Sequence, residues 1–189
     1  LDTALPTLTV GFVNFALYFA YLGALFSTLV LFVDLIDVSV WGYGPQGMSG
    51  LLMAVTVLAA SGFMLGGGRL SDVRSSRLPT LLVFLAVSFA GFVLLAASNS
   101  LALLVVACVC IGAGQGGTSG PLMALLGDLT PDARMGRAMG TNNVLGDLGG
   151  ALGPLVTLPL IRTVGFAPIY VACAFVPLLA GVVLVGGGL

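Results

Sequence analysis

One carboxyl group lies deep inside an apolar run. Asp147 falls about nine residues into the stretch 138–160, roughly 14 Å along a helix at 1.5 Å per residue. A carboxylate at such depth in a membrane is expensive, and it marks a substrate or proton pathway by default. A carboxyl removed from water favours its protonated form, which suits proton binding and release. Helical steps of three and four place Asn143, Asp147, Gly150, Ala151 and Pro154 on one face, which could line a cavity. Asn14, Gln115 and Asn142 are weaker cavity candidates. Two alternatives stay open for Asp147: a neutral acid hydrogen-bonded to a neighbouring helix, or a span that starts deeper and leaves it near the interface. The amides serve equally well as interhelical hydrogen-bonding groups.

Other chemistries find little support. Gly117-Thr118-Ser119-Gly120 looks like the serine motif of rhomboid proteases, but that serine needs a histidine base, and the chain has no His. An aspartyl protease needs two carboxylates close together; Asp147 is the one deeply placed acid, and no Gly-x-Gly-Asp occurs. No enzyme is expected. Cys108, Cys110 and Cys173 sit in apolar runs and read as small buried residues. Without a nearby His or second Cys pair they form no metal site. Neither metal nor cofactor is expected. The absence of a basic patch sets nucleic acid aside as a partner. The marks of a channel, a carbonyl-lined filter or rings of one charge sign, are not seen.

The elements that must carry Asp147 follow from composition. The chain of 189 residues is 59% hydrophobic and 7% charged, with a mean hydropathy of +1.18. A soluble domain is about 25% charged, so this chain cannot cover itself in water. A bilayer core about 30 Å thick takes roughly 20 apolar residues per helix. Six spans are expected in a single bundle over residues 1–189, at about 9–33, 46–67, 80–97, 101–126, 138–160 and 166–185. Trp41 and Tyr43, between spans 1 and 2, suit the membrane interface. Of six arginines, Arg69, Arg74 and Arg77 fall between spans 2 and 3, and Arg134 and Arg137 between spans 4 and 5. Arg162 lies between spans 5 and 6. The positive-inside rule then makes the five-arginine side cytoplasmic, with both termini cytoplasmic and the chain multi-pass in the cell membrane. Gly112, Gly116 and Gly120 recur every four residues on span 4, as do Gly146 with Gly150 and Gly149 with Gly153 on span 5. Such stripes let helix backbones approach in lipid, as packing or as a sliding face.

The segment Gly68-Arg69-Leu70-Ser71-Asp72-Val73-Arg74-Ser75-Ser76-Arg77 resembles the signature loop of the major facilitator superfamily, with Gly68, Leu70, Ser71, Asp72 and Arg77 matching. Val73 stands where a basic residue is usual, and Ser75 and Ser76 replace a glycine and a basic residue. A glycine at the helix end permits a tight turn. Asp72 near a helix N-terminus interacts favourably with its dipole and can pair with an arginine of a facing half, a contact able to open and close. The segment 130–140 is similar to the family's connection between spans 4 and 5. Gly140, Gly149, Gly153 and Pro154 are similar to the glycine-proline motif of its exporters, although Thr157 and Leu158 occupy the places of two closing glycines. Pro154 should bend its helix. Span 4 carries no charge, unlike many N-terminal halves, whereas the glycine-proline motif favours that half; the choice between halves stays open.

The expected fold is therefore an all-α membrane protein of six transmembrane helices, similar to one half of a major facilitator transporter. The resemblance implies secondary active transport of a small solute by alternating access, proton-coupled and in the direction of efflux. Gly68, Arg69, Asp72 and Arg77 would gate. Asp147, Asn143, Asn14 and Gln115 would couple protons or line the cavity, and Gly140, Gly149, Gly153 and Pro154 would shape the moving helix. The implied partners are the lipid bilayer, a small-molecule substrate, protons, and a second half or a dimer partner. Scarce fixed charges favour a neutral or apolar solute. A non-transporting scaffold or a channel subunit is the alternative.

Overall fold

In a bilayer every backbone N–H and C=O must be satisfied within the protein, which leaves the helix as the economical solution for runs this apolar. The computed structural model describes residues 4–36, 42, 44–73 and 77–186, with the backbone alone for 4–6 and 70–73. The first span joins α1 (Ala4–Tyr18), a π-helical turn (Phe19–Leu25) and α2 (Phe26–Leu35). It is followed by α3 (Pro45–Val73), α4 (Leu78–Ala96), α5 (Leu101–Leu129), a 3-10 turn (Asp132–Arg134), α6 (Met135–Val164) and α7 (Phe166–Gly186). Among the described residues, six helical segments are long and apolar enough to cross a membrane. Among the described residues there is no strand. Trp41 and Tyr43 lie outside the described residues.

Local chemistry accounts for the helix ends. Pro45 opens α3 and Pro79 sits in the first turn of α4, where a missing N–H costs nothing. The Ser100 hydroxyl accepts from the Leu103 N–H at 3.5 Å to cap α5. Gly165 ends α6 with φ of 83°, a left-handed conformation that glycine adopts freely. Arg162 belongs to the last turn of α6, where a cation complements the helix dipole.

One expectation is corrected here. Residues 68–73 were expected in a connecting loop, yet α3 continues through them to Val73. Gly68 is thus inside a helix rather than at its end. A helix leaving the hydrocarbon keeps its hydrogen bonds in the headgroup region, and nothing before Val73 breaks it. The helix likewise runs through Pro154 and Pro159 without interruption.

The packing has an internal symmetry. The first span packs on α6, and α5 packs on α3; α4 packs on α5 and α7. If spans 1–3 are exchanged with spans 4–6, the contact of span 1 with span 5 becomes that of span 4 with span 2, and the contact of spans 3 and 6 maps onto itself. This is the pattern of three-plus-three repeats. Glycines make both crossed contacts close. A methyl group on Gly23 would come within 2.6 Å of the Gly153 Cα, and one on Gly67 within 2.8 Å of the Gly117 carbonyl oxygen. A methyl on Gly116 would overlap the Ala60 carbonyl.

Two buried tyrosines tie the middle of the bundle to the first span. The Tyr21 and Ser88 hydroxyls are hydrogen-bonded at 2.6 Å, and the Tyr21 ring stacks on Phe92 with centroids 5.9 Å apart. The Tyr170 hydroxyl meets the Thr28 hydroxyl at 2.9 Å, and its ring stands edge-on to Phe32 at 5.1 Å. Ser27 and Thr28 also donate to the carbonyls of Gly23 and Ala24. Those bonds occupy carbonyls where the π-helical turn gives way to α2. Tyr21→Phe is expected to lower unfolding stability in mixed detergent by about 0.6 kcal/mol, the average for such bonds in membranes; a loss above about 2 kcal/mol would show that the hydroxyl organises more than this one contact.

Candidate functional site

The two spans with least cover occupy equivalent places in the repeat. In their most apolar 18-residue stretches, 22% of the residues of α3 and 28% of those of α6 are buried, against 44–56% in the other four spans. On α6 the buried stripe is Ala138, Asn142, Gly146, Gly149, Gly153 and Thr157, which packs toward the first span. The opposite face is open. It carries Asn143, Val144, Asp147, Leu148 and Ala151, all exposed, with Pro154 half-buried beside them. An acid and an amide four residues apart therefore share an uncovered face that is otherwise apolar.

This arrangement bears on Asp147 and on the amide candidates. These six helices do not bury Asp147, so burial at that position has to come from whatever covers the face. Asn14, by sequence either a cavity residue or an interhelical hydrogen-bonding group, is 5% exposed, and its Nδ2 donates to the Asn142 backbone carbonyl at 2.9 Å across the contact of spans 1 and 5. It is an interhelical group because it faces the glycine stripe of α6: a methyl on Gly146 would lie 2.8 Å from its Nδ2. Asn142 is also buried, with Nδ2 placed 3.7 Å from the Met123 sulfur to donate to it. Gln115 is half-buried on α5, and its backbone carbonyl accepts from the Thr118 and Ser119 hydroxyls.

Among the expected helix-shaping residues, Gly149 and Gly153 are both buried against the backbone of the first span. Gly140 differs: an added Cβ would meet no atom within 4 Å, so no close approach in this bundle requires glycine there.

The expected gating residues gather at one end of the bundle. Arg69 is exposed on α3, and a methyl on Gly120 of α5 would lie 3.6 Å from the Gly68 Cα. The Asp72 backbone belongs to α3, while its side chain lies outside the described residues. Arg77 pairs with a residue that sequence reasoning had not linked to it. Its Nε donates to Asp128 Oδ2 at 2.6 Å and its Nη2 to Oδ1 at 3.3 Å, a bidentate clasp from the start of α4 to the end of α5. The signal lay in two opposite charges in connections on the same side of the membrane. Both side chains are partly solvated, at 27% and 56% exposure. Removing either charge should therefore cost at most about 1 kcal/mol. The exchange Arg77→Asp with Asp128→Arg should recover most of that loss in a thermal melt; a double variant no more stable than the singles would show that the clasp contributes nothing.

The sequence model described as Major Facilitator Superfamily matches the chain over residues 3–154 and again over 50–187. No curated protein matches it in sequence. Solved structures do. The POT family transporter PepTSo, solved in meso, superposes with a TM-score of 0.85 at 17% identity, over 96% of this chain and 37% of that one. A peptide transporter POT in complex with alafosfalin gives 0.77 at 23% identity, over 95% of this chain and 37% of its own. A POT family transporter in complex with a thioalcohol-conjugated peptide gives 0.81 at 17% identity, with 95% and 37% covered. At these identities the likeness establishes the fold, and the chain spans 37% of the length of each of these transporters.

Proposed function

The chain belongs to the major facilitator superfamily, a family of membrane transporters rather than enzymes, and from that premise we propose that it forms one half of a secondary transporter of a small solute. The observation that carries this reading is the shared exposure of α3 and α6, with Asn143 and Asp147 on the open face of α6. Six helices that were complete in lipid would have no reason to leave an acid and an amide there. A second half, in the same polypeptide or in a second copy, would cover that face and form the far wall of a cavity near the midplane.

Within this reading Asp147 exchanges protons, and Asn143, one turn away, contacts solute or holds the carboxyl in place. The end that carries Arg69, Asp72, Arg77 and Asp128 faces the cytoplasm, since five of the six arginines lie on that side. There Asp72 binds across to the second half when that side is closed. The Arg77–Asp128 clasp adds a surface tie of at most about 1 kcal/mol to the packing of spans 3 and 4 at that end. The direction is export, supported by the glycine-proline segment Gly149–Pro154, which packs on the π-helical turn of the first span.

The test is solute flux by the full-length protein in liposomes with an imposed pH gradient. Accumulation that follows the gradient supports the reading. Flux indifferent to the gradient contradicts proton coupling, and absence of flux for every solute class contradicts transport.

A further inference from the structure

At the arginine-rich end of the bundle, the start of the first span, the connection after α5 and the first turns of α6 enclose a pocket of about 530 Å³. We propose that this pocket binds the phosphate-bearing headgroup of an anionic membrane lipid. The inference goes beyond the transport reading and needs only that the chain spans a bilayer.

Charge is the first argument. Arg134 and Arg137 line the pocket. Arg134 is the residue before the first helical position of α6, and no acidic residue lies in that first turn. Both cations therefore stand at the positive end of a helix dipole, an unfavourable placement unless an anion joins them. Among the described residues neither has an ion pair; the neighbouring Asp128 is bound to Arg77, and Asp132 is exposed and does not line the pocket. The α6 N-terminus also has no side-chain cap, although the Arg134 and Met135 N–H groups are already donated to the Pro131 and Asp132 carbonyls, so the arginine side chains and the dipole supply the positive charge.

Two buried polar atoms supply the second, independent argument. Thr130 and Asn142 both line the pocket and are 8% and 2% exposed, yet Thr130 Oγ1 and Asn142 Oδ1 have no hydrogen-bond partner. Buried polar groups are rarely left so, and each calls for a partner. Both atoms are closed to water in this bundle, so each side chain must turn toward the pocket to meet a ligand: the Thr130 hydroxyl then donates to a phosphate oxygen, and Asn142 Oδ1 accepts from a headgroup hydroxyl. One ligand that carries both a phosphodiester and a hydroxyl, as phosphatidylglycerol does, satisfies the pair and neutralises the arginines.

The rest of the wall decides between a lipid and a soluble phosphate. Leu8, Pro131 and Ala138 give the pocket an apolar side. Its residues lie at or near the ends of three spans, and a basic pocket between helices at the membrane surface suits an anionic lipid.

The test is native mass spectrometry of the intact purified protein, titrated with phosphatidylglycerol, phosphatidylcholine or inorganic phosphate. Phosphatidylglycerol should bind more tightly than phosphatidylcholine. The double variant Arg134→Gln/Arg137→Gln should lose roughly 25-fold in phosphatidylglycerol affinity, about fivefold for each arginine. Arg162→Gln, outside the pocket, should leave binding unchanged, and Thr130→Val should weaken it without removing a charge. Equal binding of the two lipids, or a double variant that binds as the parent does, overturns the proposal. Displacement of phosphatidylglycerol by millimolar inorganic phosphate also overturns it, because it would identify a site for a soluble anion.

Discussion

Asp147→Asn should abolish accumulation driven by a pH gradient while exchange of solute across the membrane continues. Asparagine keeps the shape and hydrogen-bonding capacity of the side chain and removes its proton. A carrier that couples one proton per solute accumulates about tenfold for each pH unit of gradient, since a unit of pH corresponds to about 1.36 kcal/mol. The variant should fall to no accumulation, with counterflow exchange within about twofold of the parent. Asp147→Glu, which restores a carboxyl one methylene further out, should recover part of the accumulation. Coupled transport by the Asn variant at the parental level would remove Asp147 from the mechanism. Loss of exchange as well as accumulation would instead assign it to solute binding.

Gly153→Leu should destabilise the bundle more than any exposed change on the same helix. A side chain there would overlap the backbone of Gly23. Overpacking in a core costs about 1–3 kcal/mol where side chains can give way. Here the obstacle is main chain, so the loss belongs at or above the top of that range. Gly140→Ala is the matched control, because its Cβ meets nothing within 4 Å in this bundle. It should be neutral or stabilise by up to about 1 kcal/mol through helix propensity. Thermal unfolding of the purified variants reads both. Equal midpoints for Gly153→Leu and the parent would show that the close contact of spans 1 and 5 is not needed.

The sequence and the structure agree most where hydropathy decides. Long apolar runs can only be helices in lipid, so six spans and their order were legible. The end of α3 was not, since hydropathy reports where lipid stops rather than where hydrogen bonding stops, and residues 68–73 stay helical beyond the apolar run. The two asparagines of span 5 show how much of the site could be read. Asn142 steps by four, seven and eleven to Gly146, Gly149 and Gly153, so it lies on the packed stripe, while Asn143 and Asp147 fall off it. That distinction was already present in the glycine spacing. The facing of Asn14 was not, because no comparable stripe marks the packed side of the first span. The Arg77–Asp128 clasp and the unpartnered atoms of Thr130 and Asn142 depend on how three separate helix ends meet, which no local pattern in the chain encodes.

The central claim is that the open faces of α3 and α6 meet a second half rather than lipid. Photo-crosslinking groups placed at Leu58 on α3 and Ala151 on α6, both exposed, test it most directly in native membranes. Val83 on α4 and Val182 on α7, exposed on the better-covered spans, serve as references. Leu58 and Ala151 should crosslink to protein, either to a segment outside residues 1–189 or to a second copy, while Val83 and Val182 should crosslink to lipid. Lipid adducts alone from all four positions would contradict it.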